Sequence, residues 1–345
     1  MIPHSRPTLS EEDATRVAAV VRSGFIAQGP EVAALERELA SRLDVEATAA
    51  VASGTAALEL ALRALHVGVG DEVIIPTYVC DALWQAVTRC GAVPVLADAD
   101  PATLSLSVKD AGARRTARTR CVIVPHAFGL ALDVAPFSAL GVPIIEDCAQ
   151  ALGATVGGRP AGSRGALAVC SFYATKLATT GEGGAVAGPE RLVRHVRDAR
   201  DYDERESLSP RFNHKLTDLQ AALGRSQLGR LGAFVARRRA IAARYRERLR
   251  GAACRTPDDA GERHVYHRFV VSVERDVAGV QQALEARGVA TRRPVHRPAH
   301  RALGLDGYPA AERLWVESLS LPCYPSLTDA EVDAVAAALR EALAA

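Results

Sequence analysis

Lys176 draws attention by its rarity and by its neighbours. Of the 42 Lys+Arg in this 345-residue chain, only Lys109, Lys176 and Lys215 are lysines. Arginine can neither condense with an aldehyde nor lose its proton near neutral pH. In the segment CSFYATKLATTGEGGAV, Lys176 follows an apolar run and precedes the Gly-rich turn Gly181 to Gly184. Phe172, Tyr173, Ala174 and Leu177 would strip water from its ammonium, lower its pKa and make the neutral amine a usable nucleophile. The plainer alternative is a snorkelling lysine at a strand end.

Two other clusters carry chemistry of a different kind. In PIIEDCAQALGA a wholly apolar run ends in Glu146 and Asp147, with Gln150 shortly after. A carboxylate at the carboxyl end of a parallel strand sits where open α/β sheets bind ligands, although Asp147 could equally cap the next helix. In VASGTAAL, Ser53, Gly54 and Thr55 turn a strand into a helix. Free backbone N–H groups and the helix dipole make such a turn an anion site, or an ordinary N-cap. Each cluster alone is ambiguous. Together they offer an aldehyde-condensing amine, a carboxylate to keep a ring nitrogen protonated and a phosphate cradle, which fit one cofactor, pyridoxal 5′-phosphate.

The elements that must position these groups follow from hydrophobic periodicity. Helices are expected from Ser10 to Ser23, with a Ser10/Asp13 capping box and a stop at Gly24, and from Pro30 to Leu43. From residue 47, Val/Ile/Leu runs alternate with helical patterns, so a mostly parallel sheet covered on both faces is expected, an α/β fold. A helix is expected over Leu216–Leu231 and a further long one carrying Phe234, Ile241, Tyr245 and Leu249. An α+β pattern then runs to the end. The expected organisation is an N-terminal helical arm (1–45), a large α/β domain (46–235) and a small α+β domain (236–345).

Composition excludes several classes. The formal net charge is only +2 and no basic run is dense enough to track phosphates, which argues against nucleic acid. No apolar stretch has the length of a membrane span and the N-terminus is polar, so a cytoplasmic protein is expected. Seven cysteines without a CxxC pair read as reduced thiols. The pairs His264/His267 and His296/His300 have metal-like spacing, but no carboxylate or cysteine joins them, and no metal site is expected.

The motifs SGTAAL, GDEVIIP, VPHAFG, EDCAQALGA, SFYATK, GEGGA and NHKLTDLQAALGRSQL occur in this order. With them the chain resembles, over essentially its whole length, the DegT/DnrJ/EryC1/StrS family of sugar aminotransferases, a branch of the fold type I pyridoxal phosphate enzymes. The resemblance implies that Lys176 condenses with the cofactor, Asp147 partners its ring nitrogen and Gln150 bonds its ring hydroxyl. It implies a phosphate cradle of Gly54, Thr55 and Ser171, completed by Asn213 from a second subunit. Two positions depart from the family pattern. Lys215 stands where the family has arginine, so charge is kept but the bidentate fork is lost. Counting from Pro76, the ring-stacking position is occupied by Cys80, with Tyr78 the nearby aromatic.

His126 is either a pocket wall or a satisfied core histidine, and Arg292, Arg293, His296 and His300 are candidates for a substrate-side wall. The resemblance implies a homodimer with composite sites, an amino-acid donor, usually glutamate, and a ketosugar acceptor, most plausibly nucleotide-linked. Two alternatives are a cofactor-dependent sugar dehydratase, whose branch typically has histidine at the Lys176 position, and a non-catalytic homologue.

Overall fold

Seven short strands, most of them fully buried, share one sheet in the computed structural model, which describes residues 1–344. They are β1 (Ala47–Val51), β2 (Glu72–Pro76), β3 (Val93–Ala97), β4 (Thr119–Pro125), β5 (Ile144–Asp147), β6 (Leu167–Ser171) and β7 (Gly184–Gly188). Their spatial order is β1-β7-β6-β5-β4-β2-β3, and only β7 runs against the others. The near-continuous apolar runs have the reason expected of a parallel sheet: helices cover both faces, so neither face can be polar.

The sheet is flanked by α1 (Glu11–Ser23), α2 (Pro30–Leu43), α3 (Gly54–Ala64), α4 (Ala82–Arg89), α5 (Val108–Arg114) and α6 (Glu190–Ala199). Helix α1 ends at Gly24, whose φ of 76° is the left-handed geometry a glycine cap supplies. Helix α2 is tied down by Asp218, whose carboxylate accepts from the N–H groups of Gly29 (2.8 Å), Glu31 (3.2 Å) and Val32 (2.9 Å). Those are orphan donors at a helix start, and a buried aspartate answers them. Val32, Leu35, Leu39 and Leu43 pack into the same core as β6 and β7. Helix α2 is thus part of the large core.

Where the sequence suggests two helices after residue 216, there is one, α7 (Asp218–Arg248), of 31 residues. Gly229 and Gly232 lower helix propensity but do not break the hydrogen-bond ladder, and a Thr217/Gln220 capping box starts it. Leu228, Leu231 and Val235 belong to the large core, whereas Ile241, Ala242, Tyr245 and Leu249 belong to a second core. That second core lies under an antiparallel sheet of β8 (Cys254–Arg255), β9 (Phe269–Val273) and β10 (Ser318–Leu321). It is completed by α8 (Val277–Ala286) and by the C-terminal helix Asp329–Ala344. The chain's first residues also reach this unit, since Ile2 exchanges backbone hydrogen bonds with Gly288 and Ala290.

Among the described residues no helix is long and apolar enough to cross a membrane.

Candidate active site

The carboxyl ends of β1, β2, β4, β5 and β6 converge on one cavity of about 330 Å³, a size in the usual small-molecule range. Its lining includes Ser53, Gly54, Thr55, Tyr78, Cys80, His126, Phe128, Asp147, Gln150, Ser171 and Lys176, together with His267 and Arg268 from the second unit. Residues far apart in sequence meet here because each lies at or just beyond a strand end of one parallel sheet.

Lys176 sits in the turn after β6, where its N–H donates to Tyr173 O (2.9 Å). Buried threonines fix that turn: Thr179 Oγ1 donates to Phe172 O (3.1 Å) and accepts from Gly181 N (2.9 Å). Burial pushes the Lys176 ammonium below the ordinary lysine range; Cys80 and Asp147 pull it back, and the Arg268 charge lowers it further. A neutral amine is the nucleophilic form. Asp147 is buried at the end of β5, and its Oδ1 accepts from Ala149 N (2.9 Å). Burial raises its carboxyl above the usual range, against the Ala149 bond and the charges of Lys176 and His126. A cationic ring nitrogen beside it would stabilise the carboxylate.

The phosphate end is built on backbone. Ser53 caps α3, its Oγ accepting from Ala56 N (3.1 Å), and the N–H groups of Gly54 and Thr55 open the helix at the cavity. Space there is made by glycine. A Cβ on Gly54 would come within 2.9 Å of Ser171 Cβ, and one on Gly184 within 2.5 Å of Ser53 O. The glycines keep this approach open, and the helix start offers the N–H donors that a phosphate needs. Gln150 Oε1 accepts from Phe128 N (2.9 Å), which leaves its amide NH2 free to donate into the cavity.

Not every candidate reaches the cavity. His126 lines it, but both ring nitrogens are committed: Nδ1 accepts from Leu132 N (3.0 Å) and Nε2 bonds Glu146 Oε2 (3.0 Å). Glu146 also accepts from Gly162, Arg164 and Gly165 N–H groups, so this pair staples a loop. Asn213 is exposed and outside the lining, on a segment held beside β1 by Ala52 N donating to His214 O (2.8 Å). Lys215 Nζ bonds Asp201 Oδ1 (2.7 Å) and Asp203 Oδ2 (2.6 Å) rather than the cavity.

The proposed wall at 292–300 is supplied instead by Pro294 and Val295. Arg292 and His296 are exposed, and the Arg293 guanidinium lies over the Trp315 ring. His300 is buried between Thr77 Oγ1 (2.9 Å) and Glu312 Oε2 (3.3 Å). Tyr78 is buried edge-on to Phe128, with ring centroids 6.2 Å apart, whereas Cys80 is exposed within the cavity. Desolvation where the cavity wall closes round its sulfur pushes the Cys80 thiol up, against the nearby Lys176 charge.

Several cavity residues escaped the sequence reading, among them Phe128, His267 and Arg268. Phe128, with φ 57° and ψ 9°, is aimed inward by a left-handed backbone that no local residue type announces. His267 and Arg268 arrive from the second unit. Their only local sign was the polar pair at the head of an apolar strand.

Comparison with known proteins is decisive for the family. Residues 7–340 match the model of the DegT/DnrJ/EryC1/StrS aminotransferase family. The chain belongs to that family. A DegT/DnrJ/EryC1/StrS relative from Acidithiobacillus ferrooxidans, a UDP-N-acetyl-3-dehydro-alpha-D-glucosamine 3-aminotransferase, is 34% identical over 97% of this chain and 95% of its own length. The GDP-perosamine synthase of Caulobacter vibrioides is 34% identical over 89% of each. Among solved structures, a putative sugar aminotransferase from Streptococcus pneumoniae in its PLP form superposes with a TM-score of 0.94 at 28% identity, over 99% of this chain and 98% of that one.

Proposed function

We propose that the protein is a pyridoxal phosphate-dependent aminotransferase that moves the amino group of an amino acid, glutamate in the usual case, to the ketone of a nucleotide-linked sugar. The observation that carries this reading is the meeting of Lys176, Asp147 and the α3 phosphate cradle around one cavity. The names of the A. ferrooxidans and C. vibrioides relatives support the nucleotide-sugar acceptor, and the PLP form of the S. pneumoniae structure supports the cofactor. The retained Lys176 disfavours the dehydratase alternative.

In this reading the Gly54 and Thr55 N–H groups and the Ser171 hydroxyl would hold the phosphate. Asp147 would hold the proton on the ring nitrogen, and the Gln150 amide would donate to the ring hydroxyl. Cys80 and Phe128 line the part of the cavity that would receive the ring. The cofactor supplies an electron sink that lets the donor Cα–H bond break. Lys176 Nζ, as a neutral amine, would hold the proton that leaves the donor Cα and return it during the transfer. The purified protein should carry a visible cofactor band that glutamate bleaches and that a keto acid restores. Lys176→Ala should bind the cofactor without that reversible band; an unimpaired Lys176→Ala enzyme would overturn the assignment.

The active unit in this reading is a homodimer in which Asn213 of one subunit completes the phosphate cradle of the other. Phe25, Ile26, Tyr202 and Leu208 are exposed, with Leu208 fully so, and contact with a second copy would cover such side chains. Inactive Lys176→Ala mixed with crippled Asn213→Ala should regain part of the activity, because one site of each mixed dimer then lacks both substitutions. Absence of recovery despite proven subunit exchange would put Asn213 in its own subunit's site.

A further inference from the structure

Arg268 is a cation beside the reactive lysine with no anion of its own. It stands just before β9, in the second unit, and its N–H donates to Phe128 O (3.1 Å). Its guanidinium has one side-chain partner, His4 Nε2 at 3.2 Å, and no carboxylate among the described residues pairs with it. Because arginine only donates, His4 must accept there; burial and the charges of Arg268 and Arg292 hold that imidazole neutral, with a pKa of about 3. Two buried arginines elsewhere spend a guanidinium nitrogen on protein oxygens, although Arg238 leaves its buried Nε unpartnered. Arg200 bonds Glu36 and Ala50 O, and Arg238 donates to the carbonyls of Tyr266, His267 and Cys323.

Arg268 instead lines the Lys176 cavity together with Cys80 and Phe128. A part-buried guanidinium with unused donors is a strong receptor for a planar anion, which it can hold through two parallel hydrogen bonds. The cofactor phosphate has its own cradle, built from Ser53 to Thr55 and Ser171 on other elements. The anion for Arg268 must therefore come with a substrate. Its charge is felt at Lys176, and the group that accompanies an amine reacting there is the carboxylate on the same carbon.

We propose that Arg268 receives the α-carboxylate of the amino-acid donor, so that the second unit orients the donor over the cofactor held by the first. This rests on the transamination reading above. Held this way, the carboxylate fixes the rotation about the donor N–Cα bond, and so selects which bond at Cα faces Lys176.

The test follows bleaching of the holoenzyme's cofactor band by L-glutamate and by 4-aminobutanoate, which is glutamate without its α-carboxylate. Arg268→Gln should weaken apparent glutamate binding roughly ten- to a hundredfold, the range for a lost charge-assisted contact. Its rate with 4-aminobutanoate should stay near wild type, and Arg268→Lys should recover part of the glutamate affinity. A retained cofactor band shows that each variant is folded. Equal losses with both amines would assign the guanidinium to the distal carboxylate and overturn the proposal. Normal glutamate bleaching with weakened binding of UDP or a nucleotide sugar would overturn it in favour of a diphosphate. A wild-type holoenzyme that no amino acid bleaches would defeat transamination itself, a result distinct from a normally bleached wild type beside an unaffected variant.

Discussion

At the scale of single residues, the cavity is organised by which polar atoms are spent and which are left free. His126 uses both ring nitrogens on Leu132 and Glu146 and has none to offer a substrate. Gln150 uses only its oxygen and keeps its amide donors. Asp147 makes one backbone hydrogen bond and is otherwise a buried carboxyl whose ionisation burial opposes. Such a group is stabilised as an anion mainly by a cation brought to it, and a protonated pyridine nitrogen is that cation. Asp147→Asn removes the charge at nearly constant shape, so Lys176 should still form its cofactor band while turnover falls by roughly a hundredfold or more. Stopped-flow bleaching by glutamate measures this directly; an unaltered rate would deny Asp147 its role. Lys176, Asp147 and Ser53 to Thr55 were legible in the sequence because each sits where a strand pattern ends. Arg268 was not, since only the docking of β9 against the Phe128 turn brings it to Lys176.

At the scale of elements, the phosphate cradle depends on how closely three strands approach. Gly184 pairs with Val51 on one side and with Ser171 on the other, so it is the spacer between the ends of β1 and β6. Any side chain there would press on Ser53 O at 2.5 Å and Gly54 N at 2.8 Å, which are backbone atoms that cannot swing away. Gly184→Ala should therefore displace the start of α3, weaken cofactor retention and destabilise the apoprotein by about 1–3 kcal/mol. Gly229→Ala is the control. Nothing lies within 4 Å of its added Cβ and it sits inside α7, where alanine favours the helix. Cofactor titrations and urea melts of the two variants should diverge; parallel behaviour would show that the close approach at Gly184 is dispensable. The same elements show what sequence patterning can and cannot convey. Val/Ile runs announced the buried strands, but the unbroken α7 was hidden by Gly229 and Gly232, whose helix cost is outweighed by burying Leu228, Leu231 and Val235.

At the scale of the whole molecule, the join between the two cores is lined with buried histidines, and that fixes how the fold responds to acid. His264 stacks on Tyr266, its Nδ1 accepts from Tyr266 N (3.0 Å), and burial pushes its pKa down to about 3, with Arg246 and Arg239 adding to the effect. His4 is lowered to about 3 for like reasons, and burial with Lys176, Arg268, Arg238 and His4 around it drives His267 well below the ordinary range. The folded state therefore binds fewer protons than the unfolded chain between about pH 3 and the ordinary histidine value near 6.5. Unfolding takes up protons at these histidines in that window, so their contribution to stability is complete above it and falls as the pH drops through it, by about 1.4 kcal/mol per pH unit for each histidine that stays neutral. Glu312, held down to about 2 by Arg301 and His300, adds a loss of the same sign, but only below its ordinary value of 4.5. Two cavity groups overlap the window between pH 6 and 5: Asp147, raised by burial, releases a proton on unfolding and offsets part of the effect, whereas Lys176, lowered by burial, acts with the same sign as the histidines. Urea unfolding of the apoprotein across that interval should show net proton uptake, to which each neutral histidine contributes up to one proton. His264→Phe keeps the stack on Tyr266 and removes one titrating group, so it should lower the uptake by about one proton. A slope that His264→Phe leaves unchanged would locate the acid sensitivity elsewhere than at the join.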